Sequence, residues 1–209
     1  MRNTIVVGGL VALSLALGGA AWAQSKCDAR VTTALARKVR CKLKTFAAAQ
    51  EAGSAVNTSR LSGCEATFAR KCGKAQAKGG CQAQASSCPE LEITADAAVD
   101  ALRGTPVQTA SKCDGAVTRA VAKKVGCKLR VHAAAQETGG AVNPAKVTKC
   151  EGNFTAACAK AQSKGDCQAQ TSSCAALEAT ADAAIDVLGG ATTTTSTTTT
   201  STTTSTCPV

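Results

Sequence analysis

The chain has 209 residues, with 24 Lys and Arg against 14 Asp and Glu, one His, thirteen Cys, three Phe, one Trp and no Tyr. A net charge of +10 with so few aromatic rings excludes nucleic-acid recognition by base stacking and leaves anionic surfaces or acidic proteins as the partners that charge alone favours. A single histidine and the lack of any C-x-x-C pair exclude zinc knuckles, redox dithiols and covalent haem attachment.

In chain order, Arg2 precedes an apolar run from Ile5 to Leu17, followed by a small-residue stretch ending in Ala21, Trp22 and Ala23. This is the three-part pattern of a secretory signal peptide, residues 1–23, with cleavage expected after Ala23. Thirteen apolar residues are short of the roughly 20 needed to span a bilayer, so no transmembrane segment is expected in the mature chain. Gln24, Ser25 and Lys26 before Cys27 are not the small apolar residues of a lipid-attachment signal. The expected location is outside the cytoplasm: periplasmic, extracellular or on the cell surface.

In such a compartment the cysteines read as a disulfide framework. Cys27, Cys41, Cys64, Cys72, Cys81 and Cys88 each recur 86 positions later, as Cys113, Cys127, Cys150, Cys158, Cys167 and Cys174. Residues 26–103 and 112–189 align without a gap and match at 46 of 78 positions. One unit of about 80 residues is therefore written twice, at 25–103 and 112–190, joined by a linker at 104–111 whose Pro106 and small polar residues suggest a hinge.

Each unit predicts three helices and no strand, which makes the fold class all-α. Ser25 and Ser111 are expected to cap the first helix, with Asp28 and Asp114 reaching back as in a capping box, and Gly53 to stop it. Its apolar stripe runs Cys27, Val31, Leu35, Val39, Leu43, Phe46 over roughly 40 Å. A second helix is expected to open at Ser62 with Glu65, or Thr148 with Glu151, burying Cys64, Phe68, Cys72 and Ala75 before Gly79 or Gly165. A third starts at Ser87 with Pro89 and Glu90 and buries Leu91, Ala95, Val99 and Leu102; the second copy has alanines for Pro89 and Glu90.

These alanine- and valine-rich faces bury little surface per unit, and three crosslinks worth about 3 kcal/mol each offset the deficit. Cys27 and Cys41 lie about 21 Å apart on one helix, and Cys64 and Cys72 about 12 Å, so neither pair can bond within its helix. An antiparallel hairpin turning near residues 53–61 predicts Cys41 with Cys72, Cys27 with Cys81, and Cys64 with Cys88. The competing use of these thiols is soft-metal binding, because some bacterial copper-storage proteins are cysteine-lined helical bundles. Such a store would repeat cysteines every three or four residues, and the closest spacing in this chain is seven.

No enzyme is expected, and no cofactor. His132 stands where the first copy has Phe46, which reads as a packing or surface position. The carboxylates Glu92, Asp96 and Asp100, repeated as Glu178, Asp182 and Asp186, read as a solvated stripe facing Lys38, Lys42, Lys124 and Lys128, each surface pair contributing at most about 1 kcal/mol. No EF-hand loop is present. Residues 191–209 change to a Thr/Ser tract expected to be disordered and of the kind often O-glycosylated, ending at Cys207, an odd thiol suited to intermolecular pairing.

The landmarks "KC…CKLK" and "KGGC", with the Thr-rich end, make residues 26–190 resemble uncharacterised secreted bacterial proteins built of tandem alanine/lysine-rich helical units. The second copy departs at "KGDC". The resemblance implies an extracytoplasmic location and carries no activity. The function expected is a secreted or cell-surface structural or interaction module for a protein or anionic surface partner; the alternative is a periplasmic or extracellular copper-binding protein using the cysteines.

Overall fold

The computed structural model describes residues 25–82, 84–104, 109–168 and 172–190; the expected signal peptide, the Thr/Ser tail and Cys207 lie outside them. The described residues form six helices and no strand: α1 (Lys26–Ala52), α2 (Thr58–Gln76), α3 (Cys88–Leu102), α4 (Lys112–Thr138), α5 (Pro144–Gln162) and α6 (Cys174–Leu188). Helices α4, α5 and α6 match α1, α2 and α3 in length.

The Ser25 hydroxyl accepts from the Asp28 N–H, and Ser111 does the same for Asp114. The Asp carboxylates are not spent on the reciprocal half of a capping box. Asp28 instead accepts the N–H groups of Gln82 and Gln84, and Asp114 accepts that of Gln168, pinning the loop that carries Cys81 or Cys167 onto the start of the long helix. Gly53, at φ +57°, ends α1 in a left-handed conformation that an L side chain resists.

The second helix opens earlier than expected, at Asn57 and Asn143. Each Asn side chain accepts an N–H three residues on, from Arg60 or Lys146. Ser62 and Thr148 therefore lie inside their helices, and Glu65 and Glu151 are free to turn toward α1 and α4. The helix also ends at Gln76 or Gln162, short of Gly79 and Gly165, which sit in the following loop with φ above +70°. At α3 the full capping box forms: Ser87 Oγ accepts from Glu90 N, and Glu90 accepts from Ser87 N at 2.8 Å. Helix α6 keeps only the Ser173 hydroxyl, which accepts from Ala176 N.

The buried faces of α2 and α3 are the expected quartets, Cys64, Phe68, Cys72, Ala75 and Leu91, Ala95, Val99, Leu102. The first helix is different. Sixteen of its 27 residues are buried, too many for one stripe, and α4 buries 17. Each of these helices has two covered faces: one against its own α2–α3 or α5–α6 pair, the other against its counterpart. The second face carries Ala29, Ala36 and Ala47 on α1 and Gly115, Ala122 and Ala133 on α4, small residues that let the backbones approach. Helices α1 and α4 run antiparallel. Ser25 N donates to Gln136 O at 3.0 Å, and Ser111 N donates to Gln50 O at 2.9 Å, so each helix starts level with the other's end.

Apolar residues from all six helices merge into one core. Each unit's shallow core is thus completed by the other. The connection expected as a hinge, of which residues 105–108 lie outside the described residues, ends at Ser111 held against α1.

Candidate functional site

The twelve matched cysteines form six disulfides, each within one half of the chain. Cys27 pairs with Cys81, Cys41 with Cys64 and Cys72 with Cys88, at Cα separations of 4.9, 5.9 and 5.9 Å. The counterparts are Cys113–Cys167, Cys127–Cys150 and Cys158–Cys174, at 4.9, 5.8 and 5.9 Å. All fall in the range a disulfide spans without moving backbone. The Cys27–Cys81 pairing agrees with expectation; the other two partners are exchanged. The cause is the hairpin register. Residues 54–57 carry no helix and take the chain back along α1, so Cys64 rather than Cys72 comes level with Cys41. Cys72, near the far end of α2, then meets Cys88 at the first turn of α3.

The carboxylate stripe does face the expected lysines, but the lysines are not at the surface. The Lys38 side chain has no exposure at all; its ammonium lies 2.7 Å from Glu92 and 3.0 Å from Asp96. It also sits 5.2 Å from the centroid of the Phe68 ring, in cation–π range. Lys42, one turn on, bonds Asp96 at 2.8 Å and Glu65 at 2.9 Å. Asp96 thereby bridges two ammonium groups. In the other half Lys124 and Lys128 hold Glu178, Asp182 and Glu151 the same way, with Phe154 under Lys124.

Desolvation alone would lower the Lys42 and Lys128 ammonium pKa values, but hydrogen bonds to Asp96 and Glu65, or Asp182 and Glu151, outweigh it and hold both above 10.5. Each cluster ties the first helix of its unit to the second and third. Paired buried charge of this kind specifies which helices meet more than it adds net stability.

His132 is half-buried beneath Gly189, and burial pushes its pKa below 6.5, against the pull of the Asp186 carboxylate. In the first half Phe46 occupies that place with the Arg103 guanidinium stacked 4.9 Å from its ring. Both members of that pair change together. Among the described residues, no nucleophile joins His132 in a hydrogen-bonded pair, and no group of three or more His, Cys, Asp or Glu is placed to hold a metal.

Sequence reasoning alone misses the basic grooves. Between α1 and α2 runs a groove of about 530 Å³ walled by Arg30 and Arg37 on one side and Lys71, Lys74 and Lys78 on the other, with Thr33, Ala34, Ala75 and Ala77 beneath. Between α4 and α5 the corresponding groove, about 210 Å³, carries Arg119, Lys123, Lys160 and Lys164 over Ala116, Ala120, Ala157 and Ala161. The signal is there in outline: cations at i, i+7 on α1 and at i, i+3 near the end of α2 share a helix face. Their meeting across a hairpin needs the register that only the structure supplies.

No known protein family, curated protein or solved structure matches the chain. No described helix is long and apolar enough to cross a membrane.

Proposed function

We propose that the chain is exported with loss of residues 1–23 and acts outside the cytoplasm as a structural or interaction module without catalytic activity. Two copies of one helical unit, each closed by three disulfides, form a rigid basic body ahead of the Thr/Ser-rich tail. The observation that carries this reading is the pairing of all twelve matched cysteines within their own halves. Crosslinks of this density belong to oxidising compartments and to cores too small to hold themselves shut. A soft-metal store needs thiolates, which twelve paired sulfurs do not offer.

The test is a thiol count, with peptide mass spectrometry, on protein isolated unreduced from its native compartment. The expected result is a cleaved N-terminus at Gln24, no free thiol among the twelve, and the pairings Cys27–Cys81, Cys41–Cys64 and Cys72–Cys88 with their three counterparts. Reduced thiols carrying copper would overturn the reading in favour of metal sequestration.

A further inference from the structure

We propose that the α1–α2 groove, and more weakly its α4–α5 counterpart, bind a linear acidic polysaccharide whose carboxylate or sulfate groups lie along the two rows of cations. This rests on the extracytoplasmic interaction reading above and names the ligand class for it.

Four observations carry it. First, Arg30, Arg37, Lys74 and Lys78 are exposed, Lys71 is half-exposed, and none of the five forms an ion pair with a described residue. The chain pairs Lys38, Lys42, Lys124 and Lys128 with care, and no carboxylate lines this groove. Five like charges around one concavity focus a positive field that costs the fold self-repulsion, and an anionic occupant would relieve it.

Second, the two walls suit a repeating ligand. Arg30 and Arg37 stand two turns apart, about 10.5 Å along α1, and Lys71 and Lys74 on the last turns of α2, with Lys78 in the turn that follows, form the second wall. Anionic groups recurring along an extended chain meet both rows at once.

Third, the second half keeps a basic groove in the same place with partly different residues. Arg37 becomes Lys123, and the loss of Arg30 to Ala116 is accompanied by Arg119 one turn of wall away, where the first half has Thr33. Lys71 is lost to Ala157, and Glu51 pairs with Arg119, so the second groove is smaller and has less free charge.

Fourth, the floor decides the class of polyanion. Alanines offer neither the aromatic platforms that stack nucleic-acid bases nor a deep apolar pocket for a peptide's anchor side chain. A flat bilayer would touch the rims and leave the concavity empty.

The experiment is titration calorimetry of the disulfide-intact chain with oligoalginate, with dextran sulfate and with uncharged dextran, over a range of salt. Poly-glutamate and phosphatidylglycerol vesicles are run alongside. The groove variant is Arg37→Ser/Lys71→Ser/Lys74→Ser; a control of equal net charge is Arg60→Ser/Lys146→Ser/Lys149→Ser, at exposed positions that do not line the groove. Both acidic polysaccharides are expected to bind and dextran not to. The groove variant should weaken binding about tenfold or more and lower the slope of log affinity against log salt by about three, the control losing less than about twofold.

Equal loss in both variants would reduce the attraction to net charge and overturn the proposal. So would tighter binding of poly-glutamate or the vesicles than of either polysaccharide, or no polyanion binding at all. Should the triple variant melt early, the single reversal Lys78→Glu serves in its place. An intact set of twelve paired cysteines alongside failed polysaccharide binding would sink this inference and leave the interaction-module reading standing.

Discussion

The two halves of the chain keep the same crosslinks and buried charge clusters, exchange apolar residues conservatively in the core, as Leu35 for Val121 and Val99 for Ile185, and differ more where they meet water or each other. All six cysteines, the Lys38–Lys42–Asp96 cluster, the Asp28 carboxylate that pins the Cys81 loop, and Phe68 have identical counterparts. Some of the changes are compensated. Phe46 with Arg103 becomes His132 with Gly189. Gly80, at φ +80°, becomes Asp166, whose carboxylate accepts the N–H groups of Lys112 and Cys113 at 3.0 Å and adds a cap to α4 that α1 lacks. The departure from "KGGC" to "KGDC" is thus a new helix cap. Internal crosslinks and charge clusters stay fixed, because losing one member strands its partner; solvent-side features are freer to change, as Lys71 to Ala157 does.

The largest expected effect tests whether the halves depend equally on their staples. Replacing Cys27 and Cys81 by alanine should cost about 3–4 kcal/mol by denaturant unfolding, and replacing Cys113 and Cys167 the same, since in both pairs the sequence separation is 54. Full reduction and alkylation should abolish the cooperative melt; its survival would mean that packing alone holds the core shut.

Next come the buried lysines. Lys38→Ala removes a fully buried stem and leaves Glu92 and Asp96 without their shared cation, at a cost of about 3 kcal/mol, softened because both carboxylates are about a third exposed. Lys124→Ala should match it. A difference between the two above about 1 kcal/mol would mean that the clusters are not equivalent.

A smaller effect distinguishes the halves. Ala29 is native in α1, yet Gly115→Ala in α4 would set a Cβ 2.7 Å from the Ala47 carbonyl oxygen and closer still to Glu51 Cγ. That substitution should destabilise by about 1–3 kcal/mol. Gly126→Ala meets only Arg40, nearest at Cδ at 3.2 Å, a side chain free to shift, and should stabilise by up to about 1 kcal/mol through helix propensity. Melting temperatures of the two variants should move in opposite directions.

The smallest effect is in pH dependence. The folded pKa of His132 lies below its unfolded value of 6.5, so the unfolded chain binds the proton more readily. Stability is full above pH 6.5 and falls as pH drops from there toward the folded pKa; His132→Phe, which copies Phe46, should flatten that slope. Lys42 and Lys128 act at the other end. Their folded values lie above 10.5, so the stability they add is present below pH 10.5 and is lost as pH rises through the folded values.

Much of the helical pattern is legible from spacing. Every residue expected inside α2 and α3 is buried, because those helices have one apolar face and the contrast between Phe68 or Leu91 and their polar neighbours is large. The second face of α1 is invisible in the sequence for the opposite reason: Ala29, Ala36 and Thr32 carry little hydrophobic signal, although they are buried. Lys38 reads as a surface residue because no periodicity distinguishes a lysine that has partners from one that has water. Hairpin register is also out of reach. It depends on where residues 53–57 send the chain, and it governs both the disulfide partner of Cys41 and the convergence of Arg37 with Lys71 into a groove.

Each of the six sulfur bridges stays on its own side of the seam between α1 and α4. Pulled from its two ends, the molecule should come apart as two stitched parcels before either parcel unravels, since the seam is held by packing and by polar contacts such as Gln50–Thr118 and Glu51–Arg119 with no covalent bridge across it. The response to load would then be graded: a noncovalent clasp that yields and recloses, and behind it two crosslinked bodies that do not yield.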